Sequence, residues 1–169
     1  FDKGQTQQQL SSLLREYPDR KCKVYLLHGV MDRKSMNSLY KHKKVKAFVS
    51  ATRGEGFGLP FIEAAAADLP VLATNWSAHT EFLRGPSFVD TKYDMKIVPE
   101  NRVDGTIFIS DAMWAEPREG NFCRKVKKVV ENKESLREAA RNLSDSLVES
   151  HSLTALQKKL STIMEDHLK

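Results

Sequence analysis

Three glycines and Pro60, within residues 50–70, SATRGEGFGLPFIEAAAADLP, have the types and spacing of an anion-binding loop. Gly54, Gly56 and Gly58 alternate through the loop, where glycine allows φ > 0 and lets a ligand approach without a Cβ in the way. Pro60 follows where the first residue of a helix belongs. An exposed helix N-terminus offers unpaired N–H groups and the positive end of the helix dipole, and both favour phosphate. The stretch therefore predicts a phosphate site at the start of a helix.

Two glutamates flank this predicted site. Glu55 lies in the loop, and Glu63 lies in the first turns of the helix. Carboxylates repel phosphate, but they accept hydrogen bonds from hydroxyl groups. Because helical side chains lean toward the helix N-terminus, we expect Glu63 to lean toward the loop that holds Glu55. The arrangement suits a ligand with phosphate in its centre and polyol groups on either side, and the alternative is a generic turn with two solvated glutamates.

An apolar strand on each side of the loop and helix is expected to position these residues. Residues 45–51, VKAFVSA, precede the loop, and residues 70–74, PVLAT, follow the helix. This order is that of a βαβ unit, whose crossover is right-handed and whose ligands bind beyond the carboxyl ends of the strands. The alanines at 64–67 let the helix lie close against the sheet, which fixes Glu63 relative to the loop.

Glu55 and Glu63, eight positions apart around the sequence GFGLP, resemble the Glu-x7-Glu signature of retaining GT-B glycosyltransferases. The resembled group is the glycogen-synthase-like and mannosyltransferase-like one. The similarity extends to residues 24–29 and to residues 70–83, PVLATNWSAHTEFL, where the family has a similar strand and a short helix. It covers most of the chain and is strongest over residues 45–83.

The resemblance implies a doubly wound, Rossmann-like α/β fold with a parallel sheet, helices on both faces and a helical C-terminus. Residues 1–169 would form a single nucleotide-sugar-binding domain, the C-terminal half of a two-domain enzyme whose N-terminal acceptor domain lies outside the chain. Since the chain begins with Phe1 and not with Met, we expect it to be a fragment of a longer protein, or trimmed at its start.

The implied activity is the transfer of a sugar from a nucleoside diphosphate sugar to a hydroxyl acceptor, in a glycan, lipid or protein, with retention and without a metal or cofactor. We expect the isolated domain to be inactive alone and cytoplasmic, without a nucleic-acid partner, and peripheral to a membrane only through the other domain. One alternative is a sugar-nucleotide epimerase of the GT-B fold. Another is a non-enzymatic module that binds nucleotide sugars or nucleic acid.

The resemblance also implies roles for individual residues. Glu55 would be the catalytic residue that binds the sugar hydroxyls, and Glu63 would bind the ribose. The backbone of residues 56–59 and the helix dipole at Pro60 would stabilise the charge of the leaving diphosphate. The predicted donor-binding residues are Lys3, Val30, Gly56, Phe57, Gly58, Leu59 and Glu63.

Lys3 belongs to the first segment, residues 2–17, which is predicted to be a helix with one apolar face. That face consists of Leu10, Leu13, Leu14 and Tyr17. In the resembled family a Lys-Gly pair opens the corresponding helix, and the lysine reaches the diphosphate. The alternative for Lys3 is a surface lysine at a helix start.

Residues 23–29, KVYLLHG, predict a buried strand, and residues 32–42 predict a helix capped by its first residue. The resembled family reads the nucleotide base through the backbone of the turn after this strand, here Val30 and Met31. It has two strands in this part, and this chain has room for one, so either the insert is short or residues are missing. His28 is either catalytic or a packed or hydrogen-bonded structural residue at the end of an apolar strand, and the structural role is favoured.

Residues 75–85, NWSAHTEFLRG, predict a turn and a short helix. Its expected core anchors are Trp76 and Phe82. In the resembled family the turn after the preceding strand lies near the donor sugar. The residues placed there are Asn75, Ser77 and His79.

Short β-like pieces, FVD and KIVP, follow within residues 85–105. Asp90 and Asp94 are four positions apart and do not form the Asp-x-Asp metal motif of the other large glycosyltransferase fold, which favours a metal-independent mechanism. Trp114 is interpreted as a packing residue and Pro117 as the start of a helix.

Apolar residues at helical spacing predict three closing helices. They are marked by Val126, Val129 and Val130, by Leu136, Ala139, Ala140, Leu143 and Leu147, and by Leu153, Leu156, Leu160, Ile163 and Met164. In GT-B enzymes the closing helix crosses back onto the partner domain. The last helix is therefore expected to expose an apolar face.

The composition argues against several other classes of protein. A net charge of +5 arises from 27 basic and 22 acidic residues scattered along helices, which indicates a solvated surface more than a nucleic-acid interface. Cys22 and Cys123 are far apart, which argues against a metal cluster and a disulfide framework. No apolar stretch has the length of a membrane span and no signal peptide is visible, so we expect a soluble, intracellular protein.

Overall fold

The computed structural model describes residues 2–167, which are divided between two compact units, Phe1–Ser35 and Met36–Lys169. The α-helices of the described residues are α1 (Lys3–Arg15), α2 (Arg33–Tyr40), α3 (Leu59–Ala66), α4 (Glu119–Glu131), α5 (Lys133–His151) and α6 (Leu153–His167). The strands are β1 (Phe48–Ser50), β2 (Val71–Thr74), β3 (Phe88–Thr91), β4 (Tyr93–Ile97) and β5 (Met113–Pro117). Two short 3₁₀ helices span Ala78–Glu81 and Glu100–Arg102.

A parallel sheet in the order β1-β2-β3 organises the second unit. Phe48 pairs with Val71, and Val71 in turn pairs with Phe88, so the three strands start at the same level. All four residues of β2 are buried, as expected for the central strand of a parallel sheet that is covered on both faces. The predicted βαβ unit, β1-α3-β2, is confirmed.

The two faces of the sheet carry separate apolar clusters. Val71 and Ala73 point into a cluster with residues of α3 and with Leu147 of α5. Leu72 points the other way, into a cluster with Val129 of α4 and Leu136. This alternation follows from the two-residue period of a strand. The predicted α/β fold, a parallel sheet with helices on both faces and a helical C-terminus, is confirmed.

Helix α3 lies close to the sheet because its inner side chains are small. Ala64 and Ala65 are completely buried, and Phe61 fills the space at the start of the helix. Removing a side chain of that size from water stabilises the fold by about 1.5–3 kcal/mol. Ser144 of α5 donates a hydrogen bond from its Oγ to the carbonyl of Ala66 at 3.1 Å, which attaches α5 to the end of α3.

The closing helices lie where the apolar spacing predicts them. Leu136, Ala140 and Leu147 of α5 are buried, whereas Val130 of α4 is exposed. The predicted apolar residues of α6 are also exposed. None of the helices in residues 2–167 combines the length and apolar character that a membrane crossing requires.

Strands β4 and β5 form an antiparallel hairpin in which Tyr93 pairs with Pro117 and Ile97 with Met113. The prediction that Pro117 starts a helix is wrong, since Pro117 ends β5 and α4 begins at Glu119. A two-stranded ladder tolerates a proline because both strands are edge strands. The outward side of an edge strand pairs with no neighbour, so a residue there needs no N–H donor.

The first unit contains α1, capped by Asp2, whose Oδ1 accepts a hydrogen bond from the N–H of Gly4 at 2.9 Å. The predicted strand at residues 23–29 is wrong, because these residues are irregular and exposed, Tyr25 by 81%. A strand needs a hydrogen-bonded neighbour, and the described residues of this unit contain none. Asp32 does cap α2, since its Oδ1 accepts from the N–H of Ser35 at 2.7 Å.

Candidate functional site

The glycine loop, residues 52–58, connects the carboxyl end of β1 to the N-terminus of α3. Helix α3 begins at Leu59, so Pro60 is its second residue and not its first. Gly58 has φ +90°, and a Cβ there would lie 3.1 Å from Cβ of His79 and 3.1 Å from a ring carbon of Phe61. Both neighbours are buried. The position therefore requires glycine for its backbone angle and for its lack of a side chain.

The N–H groups of residues 56–59 donate to no acceptor within residues 2–167. Gly56 and Leu59 are exposed, and Phe57 is anchored by its ring, whose centroid lies 5.5 Å from that of Phe82. Unpaired donors at a helix N-terminus, together with the helix dipole, form a site for an anion. These N–H groups are available to an anion, and phosphate binding at this helix start stays a prediction.

Two hydroxyl groups hold Glu55 in the loop. Thr52 donates from Oγ1 to Oε1 of Glu55 at 2.7 Å. Ser77 accepts from the Glu55 N–H at 2.9 Å and donates to the Glu55 carbonyl at 2.6 Å. The side chain and the main chain of Glu55 are therefore fixed by different partners.

Arg53 ties the loop to the β4–β5 hairpin. Its Nε and Nη2 donate to the two carboxylate oxygens of Glu116 at 2.6 and 2.9 Å, and its guanidinium lies 4.5 Å from the ring centroid of Trp114. The carbonyl of Arg53 also accepts from the N–H of Ala115 at 3.2 Å. The hydrogen bond to Glu116 raises the pKa of Arg53, and the same bond holds the pKa of Glu116 below its usual range. Trp114 does pack, as predicted, but it packs on a loop residue.

Glu63 lies one turn into α3, on the exposed side of the helix. Its charge acts on Tyr40 of α2, whose pKa is raised first by burial and then by the negative Glu63. In the described chain the carboxylates of Glu55 and Glu63 form no hydrogen bond with each other, so both keep the capacity to accept from hydroxyls. That they face one ligand stays a prediction.

His79 supports the loop from the core. It is completely buried, its Nε2 lies 2.7 Å from the carbonyl of Thr74, and its ring stacks on Phe61 at a centroid distance of 4.6 Å. Among the three residues predicted near the donor sugar, Asn75 is exposed, Ser77 contacts Glu55, and His79 is enclosed by protein. His79 therefore holds the start of α3 and the turn after β2 together.

The chain matches, over residues 2–160, the protein family described as family 4 glycosyltransferase in conflict systems (GT4-conflict). The chain belongs to this family. The prediction of a glycosyltransferase, made from the loop and its two glutamates, is thereby confirmed at the level of the family.

Three curated sequences are also similar to the GT4 chain, each a serotype-specific mannosyltransferase WbdA of Escherichia coli. Each is 40% identical over 63 residues, which is 37% of this chain. The GT4 chain spans about 7% of the length of these relatives. No solved structure gives a significant match.

The other predicted site residues of the GT4 chain lie in the first unit. Lys3 is the first residue of α1 and is exposed. Val30 is fully exposed in an irregular segment, and Met31 beside it is half-buried. His28 is exposed and its side chain has no hydrogen-bond partner within residues 2–167, so the favoured interpretation of it as a packed or hydrogen-bonded residue is wrong, because the strand that would have buried it does not form. The donor-binding roles of Lys3 and Val30 stay predictions.

The aspartates of β3 and β4 in the GT4 domain are engaged in ion pairs. Asp90 accepts from Nζ of Lys125 at 3.1 Å, and Asp94 binds Arg118 through three hydrogen bonds. Within residues 2–167 no group of three or more His, Cys, Asp or Glu is arranged to hold a metal ion. A polar cavity of about 330 Å³ lies at the carboxyl ends of β2 and β3. It is lined by Asn75, Asp90, Thr91, Lys92, Tyr93 and Arg118.

Most of the partners that fix the loop cannot be identified from the sequence. Thr52 and Arg53 stand next to the glycines, but Glu116 is 63 positions from Arg53, and nothing in a single sequence links the two. Thr52 could have been identified from the sequence as a partner of Glu55, since a hydroxyl three positions before a glutamate in a loop can reach the glutamate side chain.

Proposed function

We propose that this chain is the donor-binding domain of a retaining GT-B glycosyltransferase, which moves a sugar from a nucleoside diphosphate to a hydroxyl acceptor. The observation that carries the proposal is the glycine loop at the carboxyl end of β1. It combines unpaired N–H groups at the start of α3 with a glutamate whose main chain and side chain are both fixed. Family membership supports glycosyl transfer as the reaction class.

The diphosphate binds at the N-terminus of α3 in this proposal. The N–H groups of residues 56–59 donate to its oxygens, and the helix dipole adds a positive potential. As the bond between sugar and phosphate breaks, negative charge grows on the diphosphate, and these fixed donors stabilise it without having to reorganise. The step needs no proton transfer from the protein to the leaving group.

The two glutamates bind the polyol groups at either end of the donor. Glu55 accepts hydrogen bonds from the hydroxyls of the transferred sugar and is the proposed catalytic residue. Glu63 accepts from the ribose. Lys3 supplies positive charge to the diphosphate and the backbone at Val30 contacts the base, as the family resemblance implies.

The sugar proposed first is mannose, because the curated relatives are named mannosyltransferases. Retention of the anomeric configuration and independence of metal ions belong to the proposal through the Glu-x7-Glu resemblance. The hydroxyl acceptor, and the domain that binds it, lie outside the chain in this proposal. We therefore expect the chain to bind donor and to transfer no sugar by itself.

A calorimetric screen tests the proposed function. The chain is titrated with UDP, GDP and ADP and with UDP-glucose, GDP-mannose and ADP-glucose. The proposal expects one diphosphate and its sugar conjugate to bind, both weakened by Glu63→Gln. Binding of none of the six compounds, or binding of single-stranded nucleic acid with a steep salt dependence in their place, contradicts it.

A further inference from the structure

Ser77, the residue before the 3₁₀ helix Ala78–Glu81, has an unusual backbone. Its φ is 85° and its ψ is −172°, a region that is occupied almost only by glycine. Asp68 and Asp111 also have positive φ, 62° and 64°, and aspartate is one of the residues that adopt positive φ most readily. Such strain persists only where the surrounding structure enforces it.

The strained backbone of Ser77 places its hydroxyl against the glycine loop. Oγ accepts from the N–H of Glu55 at 2.9 Å and donates to the carbonyl of the same residue at 2.6 Å. On its other side the carbonyl of Ser77 accepts from the N–H and from Oγ1 of Thr80, at 3.1 and 2.7 Å. The Ser77 side chain thus forms hydrogen bonds with both main-chain polar groups of Glu55, although the two residues are 22 positions apart in sequence.

A glycine would adopt this conformation without strain, but it has no hydroxyl to hold Glu55. We infer that Ser77 is a positioning residue, which fixes the main chain of Glu55 so that its carboxylate meets the hydroxyls of the transferred sugar. Thr52 fixes the carboxylate itself. The inference rests on the proposed function, because it assigns Ser77 to the sugar end of that donor site and not to the diphosphate end.

If Ser77 positions Glu55, substitution of Ser77 should weaken binding of the sugar independently of any change in the stability of the fold. Ser77→Ala removes the hydroxyl and keeps the strained backbone, whereas Ser77→Gly removes both. Both variants are expected to bind the sugar conjugate about tenfold more weakly, a change of about 1.4 kcal/mol, and to bind the bare diphosphate as the wild type does. The glycine variant is expected to melt at a higher temperature than the alanine variant, since only alanine retains the strain.

Ser87→Ala is the matched control. Ser87 is also buried, but its Oγ has no hydrogen-bond partner within residues 2–167, so the loss of this hydroxyl should leave both affinities unchanged. Ser77→Ala is also combined with Glu55→Gln. If Ser77 acts through Glu55, the double variant should bind the sugar conjugate no more weakly than Glu55→Gln alone, whereas independent roles give additive losses.

The test measures the affinities of the wild type and the variants for GDP-mannose and GDP, or for whichever sugar conjugate and diphosphate of the screen bind most tightly. It also measures hydrogen exchange of the Glu55 amide. Faster exchange in Ser77→Ala, with a loss confined to the sugar conjugate, supports the inference. An unchanged ratio of the two affinities overturns the inference and leaves the proposed function standing. If the wild-type chain binds no probe, the proposed function fails and the role of Ser77 fails with it.

Discussion

Gly58→Ala is the substitution whose cost is best defined by the structure. At φ +90° an alanine loses about 1–2 kcal/mol relative to an ordinary backbone conformation. Its Cβ would also lie 3.1 Å from atoms of His79 and Phe61, which are buried and stacked on each other and therefore cannot move apart cheaply. Overpacking of this kind costs about 1–3 kcal/mol. The two effects together should lower the free energy of unfolding by about 2–5 kcal/mol.

Gly85→Ala is the control for this prediction. Gly85 has φ +78°, but a Cβ there would meet nothing within 4 Å, so only the backbone cost of about 1–2 kcal/mol applies. Urea unfolding of the two variants and the wild type, followed by circular dichroism, measures the difference. We expect Gly58→Ala to be less stable than Gly85→Ala by about 1–3 kcal/mol. Equal destabilisation would show that the loop is not held against His79 and Phe61, and the reasoning about its rigidity would be refuted.

Further predictions concern the donor site and its support. Glu55→Gln should weaken binding of the sugar conjugate about 10- to 150-fold, by about 1.5–3 kcal/mol, and leave binding of the bare diphosphate unchanged. Glu63→Gln should weaken binding of both ligands. If calorimetry shows that Glu55→Gln weakens both ligands equally, the assignment of Glu55 to the sugar is wrong. Arg53→Lys should raise the pKa of Glu116 toward its ordinary 4.5, because the two-bond contact is lost. In the wild type this contact stabilises the fold above pH 4.5, and the stabilisation is lost as the pH falls through the lowered pKa of Glu116. An NMR titration of the Glu116 carboxyl in the wild type and in Arg53→Lys measures the difference in pKa. Identical titration curves would contradict the pairing of Arg53 with Glu116. Excess EDTA should leave donor binding unchanged, and recovery of lost binding by Mg²⁺ or Mn²⁺ would refute metal independence. The purified chain should transfer no sugar, and robust transfer to an acceptor would contradict the expectation that the acceptor domain is required.

Local patterns predicted the centre of the domain well. The alternating glycines, Pro60 and the run of alanines determine a loop, a helix start and a closely packed helix through interactions that are near in sequence. The strands on either side, β1 and β2, followed from short apolar runs in the order of a βαβ unit. The family could be inferred from the same stretch because its signature depends on this local arrangement.

The errors arose where the outcome depends on distant partners. Residues 23–29 have the composition of a strand, but a strand also needs a neighbour to pair with, and His28 is exposed for the same reason. Pro117 suits a helix start and equally suits the end of an edge strand, and the pairing with Tyr93 decided between them.

Two supports of the glycine loop could not be predicted from the sequence. The contact of Arg53 with Glu116 and the strained backbone of Ser77 both depend on how the hairpin and the turn after β2 approach the loop. Neither leaves a pattern in a single sequence. Serine is also an improbable residue for that backbone conformation, so propensity argued against what the structure contains.

The most direct test of the central claim is an NMR titration of the chain with the diphosphate that binds in the screen, followed through its backbone amides. We expect the largest shifts on the amides of Gly56, Phe57, Gly58 and Leu59, and we expect these shifts to persist in excess EDTA. Shifts confined to the basic residues of α4, which are Arg124, Lys125, Lys127 and Lys128, with none in the glycine loop, would contradict a donor site at the N-terminus of α3.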